Sequence, residues 1–361
     1  MRKGIYIKKY IVIAFGILLA STNLCACAGS IKAEPLPAAF SYGVISSYDQ
    51  DAFSKLLCFD KELNILEERK LKISNVGKYN FNYPIIRNNH AYDISLGQGF
   101  NKDNCAIMDL DLETGEMKTY PFSDRVNITD FQITEEYIYA ISNLNGQTYI
   151  DRYSFKEKSM LSYIVNMTGI DMGLSGEDLY LFVGDVDADD TETYKMYQID
   201  IPKKKTEEVF DFTSYYKKYD GFGSSTAYQD AIYIPHGYEI LKFTKKDKKV
   251  KEIPLDYLNA YGAYSRDSIL YVACTEVYDE ESESEIVVLD MDTDKIIQEY
   301  HFEHPIEQFW VDGDKLVILG HNYVLYSYSI QKDGTCKMEY KNDLGEQGYD
   351  FLSALIVKEE Q

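Results

Sequence analysis

Five times in this chain an acidic turn runs into Ile or Leu and then into Tyr or Val. The fullest copy is Gly176-Glu177-Asp178-Leu179-Tyr180-Leu181-Phe182-Val183. Glu136-Tyr137-Ile138-Tyr139, Asp230-Ala231-Ile232-Tyr233, Asp267-Ser268-Ile269-Leu270-Tyr271 and Asp314-Lys315-Leu316-Val317 repeat it with one-residue slips. The aligned positions Tyr139, Tyr180, Tyr233, Tyr271 and Val317 are separated by 41, 53, 38 and 46 residues. A unit of this size is a few strands that cannot bury their own apolar faces, so neighbouring units must stack into one body.

From Phe40 onward the chain reads as short strands. Apolar runs turn at Glu113-Thr114-Gly115, Thr293-Asp294-Lys295 and Lys332-Asp333-Gly334, which are hairpin signals. Runs at Leu56–Asp60, Tyr149–Tyr153, Met196–Asp200 and Glu239–Phe243 fill the same slot in other units, making seven. Leu179, Leu181 and Val183 alternate with Tyr180 and Phe182, so this strand is apolar on both faces and must lie between two other sheets. Radially packed four-stranded blades meet that demand, whereas a two-sheet sandwich leaves one polar face per strand. The first unit, Gly43 to Leu71, lacks an opening strand, and the C-terminus supplies a spare one at Tyr349–Val357. Pairing them removes two exposed edges. This pattern resembles the seven-bladed propellers of the WD-repeat-like and quinoprotein-like groups, over Phe40 onward. No Trp-Asp signature is present, so the resemblance implies a fold and no function. The expectation is an all-β propeller of seven four-stranded blades, the C-terminal strand closing the first. The 33 tyrosines are then packing residues, with hydroxyls reaching the blade edges.

The N-terminus stands outside that pattern. Arg2, Lys3, Lys8 and Lys9 precede the apolar run Ile11–Ala20, too short to span a bilayer and typical of a signal peptide. It ends in Leu24-Cys25-Ala26-Cys27, which resembles a bacterial lipobox with Cys27 as the lipidated residue. An uncleaved anchor or a plain secretory signal is the alternative. Expected boundaries are 1–26 for the signal peptide, 27–39 for the lipidated Cys27 and a short extended tether, and 40–361 for the propeller. Palmitate or a similar acyl chain on Cys27 would hold the domain outside the cytoplasm, on the cell membrane. Removing the basic residues before Cys27 leaves 33 Lys and Arg against 59 Asp and Glu, a net charge near −26. Such a surface repels nucleic acid and does not lie flat on anionic lipid. Cys58, Cys105, Cys274 and Cys336 remain, without Cys-x-x-Cys spacing. Free buried thiols and disulfides are both open, and no cysteine metal site is implied.

In propellers of this resemblance, the blade-joining loops and those between second and third strands share one face around the channel mouth. Tyr215, Tyr216, Tyr219 and Phe222 precede the fifth unit, and Tyr257 and Tyr261 the sixth. Such rings either stack on sugars and partner side chains or cap blade edges. Residues entering the first strands are mostly polar, including Asn80, Asn127, Asn259, Glu307 and Gln347, a ring suited to a small polar ligand or water. Asp185-Val186-Asp187-Ala188-Asp189 resembles the start of a calcium loop, but Asp190 stands where Gly is required and Met196 where a bidentate Glu belongs. His301 and His304 would point to opposite faces of a strand, so no metal or other cofactor is expected. Two functions remain. One is a tethered binding or scaffold module for a protein, peptide or envelope glycan. The other is an enzyme on envelope glycans or peptides, drawing on Glu303, Glu307, His304 and His321. A quinone-dependent dehydrogenase is set aside, because those relatives carry repeated tryptophan motifs and this chain has only Trp310.

Overall fold

Tyr139, Tyr180, Tyr233, Tyr271 and Val317 all land on the second strand of a four-stranded antiparallel sheet. The computed structural model describes residues 34–47, 53–73, 76–77, 83–98, 101–122, 128–186, 192–219, 222–256, 259–275, 282–349 and 351–358. Seven such sheets form a ring, a seven-bladed β-propeller. The closure read from the sequence is present. The first blade takes its inner strand, Leu352–Val357, from the C-terminus and pairs it with Tyr42–Ser46, followed by Lys55–Phe59 and Ile65–Lys70. Gln308 opens the inner strand of the seventh blade, Gln308–Asp312, and clips the join. Its Oε1 accepts from the Leu355 N–H at 2.6 Å and its Nε2 donates to the Ser353 carbonyl at 3.1 Å.

The core is divided into seven apolar layers, one between each pair of neighbouring blades. Strand alternation explains the division. In the fourth blade Leu179, Leu181 and Val183 face Tyr139 and Ile141 of the third blade, while Tyr180 and Phe182 face Ile232 and Ile234 of the fifth. Each second strand therefore serves two layers at once, which is why it is apolar throughout. Tyr233 is fully buried, and its hydroxyl crosses to the sixth blade to donate to the Met291 carbonyl at 3.0 Å. Cys58 and Cys274 are buried free thiols and Cys336 a half-buried one.

Turns from first to second and from third to outer strands lie on one face of the ring, here the turn face. Loops between second and third strands and those joining blades lie on the other, the loop face. Two segments differ from the sequence reading. The stretch before the fifth blade contains a short helix, Thr213–Tyr219, started by the Asp211 carboxylate accepting the Thr213 N–H at 2.9 Å. Residues 34–39, the end of the segment expected as a short extended tether, are docked. Arg69 donates to the carbonyls of Glu34 and Pro35 at 2.7 and 2.9 Å, and Leu36 and Phe40 are buried in the layer between the first and second blades. The docking is tight because Gly115 has no side chain: a Cβ there would meet the Glu34 carbonyl at 2.7 Å. The chain thus enters the propeller at the turn face, where Tyr42 begins its strand.

Candidate functional site

On the loop face, the aromatic residues are largely engaged in packing. Tyr261 is buried and donates its hydroxyl to the Ile306 carbonyl at 2.6 Å. Tyr216 stacks on Tyr194, and Tyr215 packs beside Phe210 and Phe212. Tyr219 belongs to the short helix. Tyr257, Asn80, Asn127 and Cys27 lie outside the described residues, as do residues 187–191 and 276–281 of the two acidic loops. Asn259 is exposed with φ of 54°, and Gln347 is exposed and donates to the Asp343 carbonyl at 2.8 Å.

The histidines divide by burial. His304 is buried, stacked on Tyr326 at 3.8 Å and hydrogen-bonded to the Tyr328 hydroxyl at 2.6 Å, and burial holds its pKa below the ordinary histidine value. His236 is buried 3.3 Å from Glu239, and His301 pairs with Glu285 at 2.9 Å on the exposed outer strand of the sixth blade. Glu303 is exposed. His321 and Glu307 form a partly open pair near the channel, Nδ1 to Oε2 at 3.0 Å. The buried Tyr83 hydroxyl lies close enough to Glu307 for that carboxylate to add to the upward pKa shift caused mainly by burial. Deeper in the ring, Asp130 accepts from the N–H groups of Phe131 and Met172 at 2.7 and 2.8 Å. Desolvation, then the Asp130 charge, holds the neighbouring Asp171 carboxyl far above its usual range.

A site that the sequence reading did not single out opens on the turn face, between the third and fourth blades. It is a cleft of about 810 Å³, within the range of about 300–1,000 Å³ typical of small-ligand pockets. Two acidic turns frame it: Thr134-Glu135-Glu136, ahead of the strand Tyr137–Leu144, and Gly176-Glu177, ahead of Asp178–Val186. Its floor comes from the third strands, Gln147–Ser154 and Glu192–Asp200, through Arg152 and Gln198. Tyr137 and Tyr139 share one face of their strand, their ring centres 6.0 Å apart. Arg152 stands opposite Tyr139 across the hairpin. Its guanidinium lies 4.4 Å from the Tyr137 ring centre, and its charge lowers the pKa of the adjacent Tyr139 phenol. Burial raises the Tyr139 pKa, the adjacent Arg152 opposes the rise, and the Tyr137 and Glu177 charges add to it.

Charge pairing sets Arg152 apart. Arg87 is matched by Glu135 at 3.4 Å and Lys205 by Glu207 at 3.0 Å, while Asp178 receives Gln198 at 2.8 Å. Among the described residues no carboxylate pairs with Arg152, and no cation pairs with Glu136 or Glu177. The cleft therefore holds one unmatched cation laid on an aromatic ring and two unmatched anions at its rim. Such a set can bind and orient a charged ligand, and it contains no nucleophile with an adjacent base.

No protein-family model matches the chain, and no curated protein matches its sequence. Solved structures share its architecture. A 6-phosphogluconolactonase candidate from Bacteroides uniformis aligns with a TM-score of 0.55 at 10% identity, covering 88% of this chain and 99% of that one. An oligogalacturonate lyase in complex with manganese aligns at 0.52 and 10% identity, covering 86% of each chain. The computationally designed protein Ika8 aligns at 0.52 and 11% identity, covering 87% of this chain and 88% of its own. At these identities the likeness concerns the fold alone.

Proposed function

We propose that the chain is a lipid-anchored, extracytoplasmic propeller that acts as a binding module, with the turn-face cleft as its ligand site. The observation carrying this reading is Arg152, a half-buried guanidinium without a carboxylate partner among the described residues, in a chain of net charge −22. A cation held against a ring in so acidic a protein is a poised anchor for an anionic group. The anchor half of the reading rests on the resemblance of Leu24–Cys27 to a lipobox and on the docked residues 34–39. Only residues 28–33 separate Cys27 from the docked segment, a reach of at most about 25 Å. The turn face, and the cleft with it, then looks toward the membrane, and the loop face looks away.

Two measurements test the halves separately. Cys27→Ser should abolish incorporation of labelled palmitate and release the protein from membranes; full labelling of the variant would refute the anchor. A photo-crosslinking residue at Glu177 should capture a ligand in intact cells, whereas one at Met160, on the outer strand of the third blade, should not. Equal yields at both positions would refute the cleft. A second reading rests on the Glu307–His321 pair, whose geometry suits general base work on an envelope glycan or peptide. It requires that purified protein turn over envelope fragments and that His321→Gln abolish the turnover; inactivity of the wild type sinks it.

A further inference from the structure

The unmatched charges of the cleft go beyond binding in general and specify the ligand's chemistry; this inference rests on the cleft being the ligand site. Arg152 offers its guanidinium to one anionic group, and a planar fork matches a carboxylate best when two parallel hydrogen bonds are available. Glu136 and Glu177, both exposed, each offer a carboxylate to a cation. A multiply charged anion such as a phosphate or a polyuronate would face those two carboxylates without compensation, and like charges brought into one cleft repel. A neutral sugar would satisfy the aromatic wall and leave all three charges unmatched. A ligand with one carboxylate and two ammonium groups matches the set and carries a net charge of +1. Its apolar linkers can lie along Tyr137 and Tyr139, whose rings form one continuous wall. The volume admits a few residues of peptide and not a folded domain, which needs about 800 Å² of contact per partner.

We infer that the cleft takes a short free peptide bearing a terminal carboxylate, a terminal ammonium group and a basic side chain, the carboxylate on Arg152 and the two cations on Glu136 and Glu177. Arg152 is thus a specificity-determining residue, and the acidic turns of two successive blades form the cation half of the site. This assigns a role to the repeated acidic turn where two copies of it meet an arginine and two tyrosines in one cleft.

Calorimetric titration of alanyl-lysine into the full-length protein in lipid nanodiscs provides the test. Saturable binding is expected, weakened about tenfold or more when the carboxylate is amidated, the lower range for losing a hydrogen bond to a charged group. Replacing lysine by norleucine should weaken it by a similar factor. Arg152→Gln should bind the acid and the amide equally, and Glu177→Gln should narrow the gap between lysine and norleucine. Glu177 is exposed, so its variant stays folded even if Arg152→Gln disturbs the Tyr137 and Tyr139 rings. Absence of saturable heat, equal affinity of the wild type for acid and amide, or undiminished discrimination in Arg152→Gln would overturn the inference. Capture of some other ligand through Glu177 in cells, with no alanyl-lysine binding, would leave the cleft as a site and remove the peptide assignment.

Discussion

Truncating Ile356 to alanine should cost the propeller a large part of its stability, although the residue lies five positions from the C-terminus. Ile356 is fully buried, in the layer that also contains Leu56, Ala91 and Met108. It sits on the strand that closes the first blade, directly opposite Gly43. Losing three carbons at about 0.8 kcal/mol each removes about 2.4 kcal/mol of transfer free energy. The layer is walled by backbone on both sides and collapses incompletely, so the residual cavity should bring the total to about 3–4 kcal/mol, inside the usual range for Ile→Ala. That is a substantial share of the total of about 5–15 kcal/mol expected for a folded domain. Urea unfolding can be followed by the fluorescence of Trp310, the only tryptophan, which is buried in the neighbouring layer between the seventh and first blades. Ile297→Ala is the control: Ile297 is 53% exposed on an outer strand, and its loss should change stability by no more than about 0.5 kcal/mol. A cost for Ile356→Ala below about 1 kcal/mol, or one equal to the control, would mean that the C-terminal strand does not hold the ring shut.

Other consequences can be checked in the same way. Gln308→Met preserves volume but leaves the Leu355 N–H and the Ser353 carbonyl without their partner, at a cost of about 2 kcal/mol in the same urea assay; an unchanged midpoint would refute the clip. Because burial lowers the His304 pKa below the ordinary 6.5, the unfolded chain takes up that proton first as pH falls. The contribution of neutral His304 should be complete above pH 6.5 and should shrink as pH drops toward the folded-state pKa. His304→Gln should flatten this slope, and an identical slope in both proteins would contradict the assignment. Burial pushes the Cys58 thiol up to about 12 and raises Cys274 as well, so both should resist thiol reagents at pH 8 until urea unfolds the chain; rapid native labelling of either, mapped by mass spectrometry, would count against the packing.

The blades were legible in the sequence for a simple physical reason. A strand that serves two apolar layers must be apolar at every position, and Leu179 to Val183 announces this without any tertiary information. The closing strand was legible as a spare apolar run at one end facing a missing strand at the other. The cleft was harder to see because its parts come from different blades, and the same acidic turn recurs in the fifth, sixth and seventh blades. One signal was available. Asn145-Gly146 is a two-residue hairpin turn with both φ values positive, and its register places Arg152 opposite Tyr139. The loop-face tyrosines show the converse limit. Spacing put Tyr261 at the rim, and only the folded ring reveals that its hydroxyl is spent on the Ile306 carbonyl of the next blade. Residues 34–39 looked like a tether because proline and small residues dominate there. Their docking depends on Arg69 and Gly115, which are distant in sequence.

Native mass spectrometry of the full-length protein, extracted from its own membrane under mild conditions, would decide whether the turn-face cleft is where this propeller works. A bound mass of peptide size should accompany the wild type and be lost from Arg152→Gln, while His321→Gln should retain it. Retention of the same mass by Arg152→Gln, or its loss from His321→Gln alone, would move the site to the channel mouth and contradict the role assigned to the cleft.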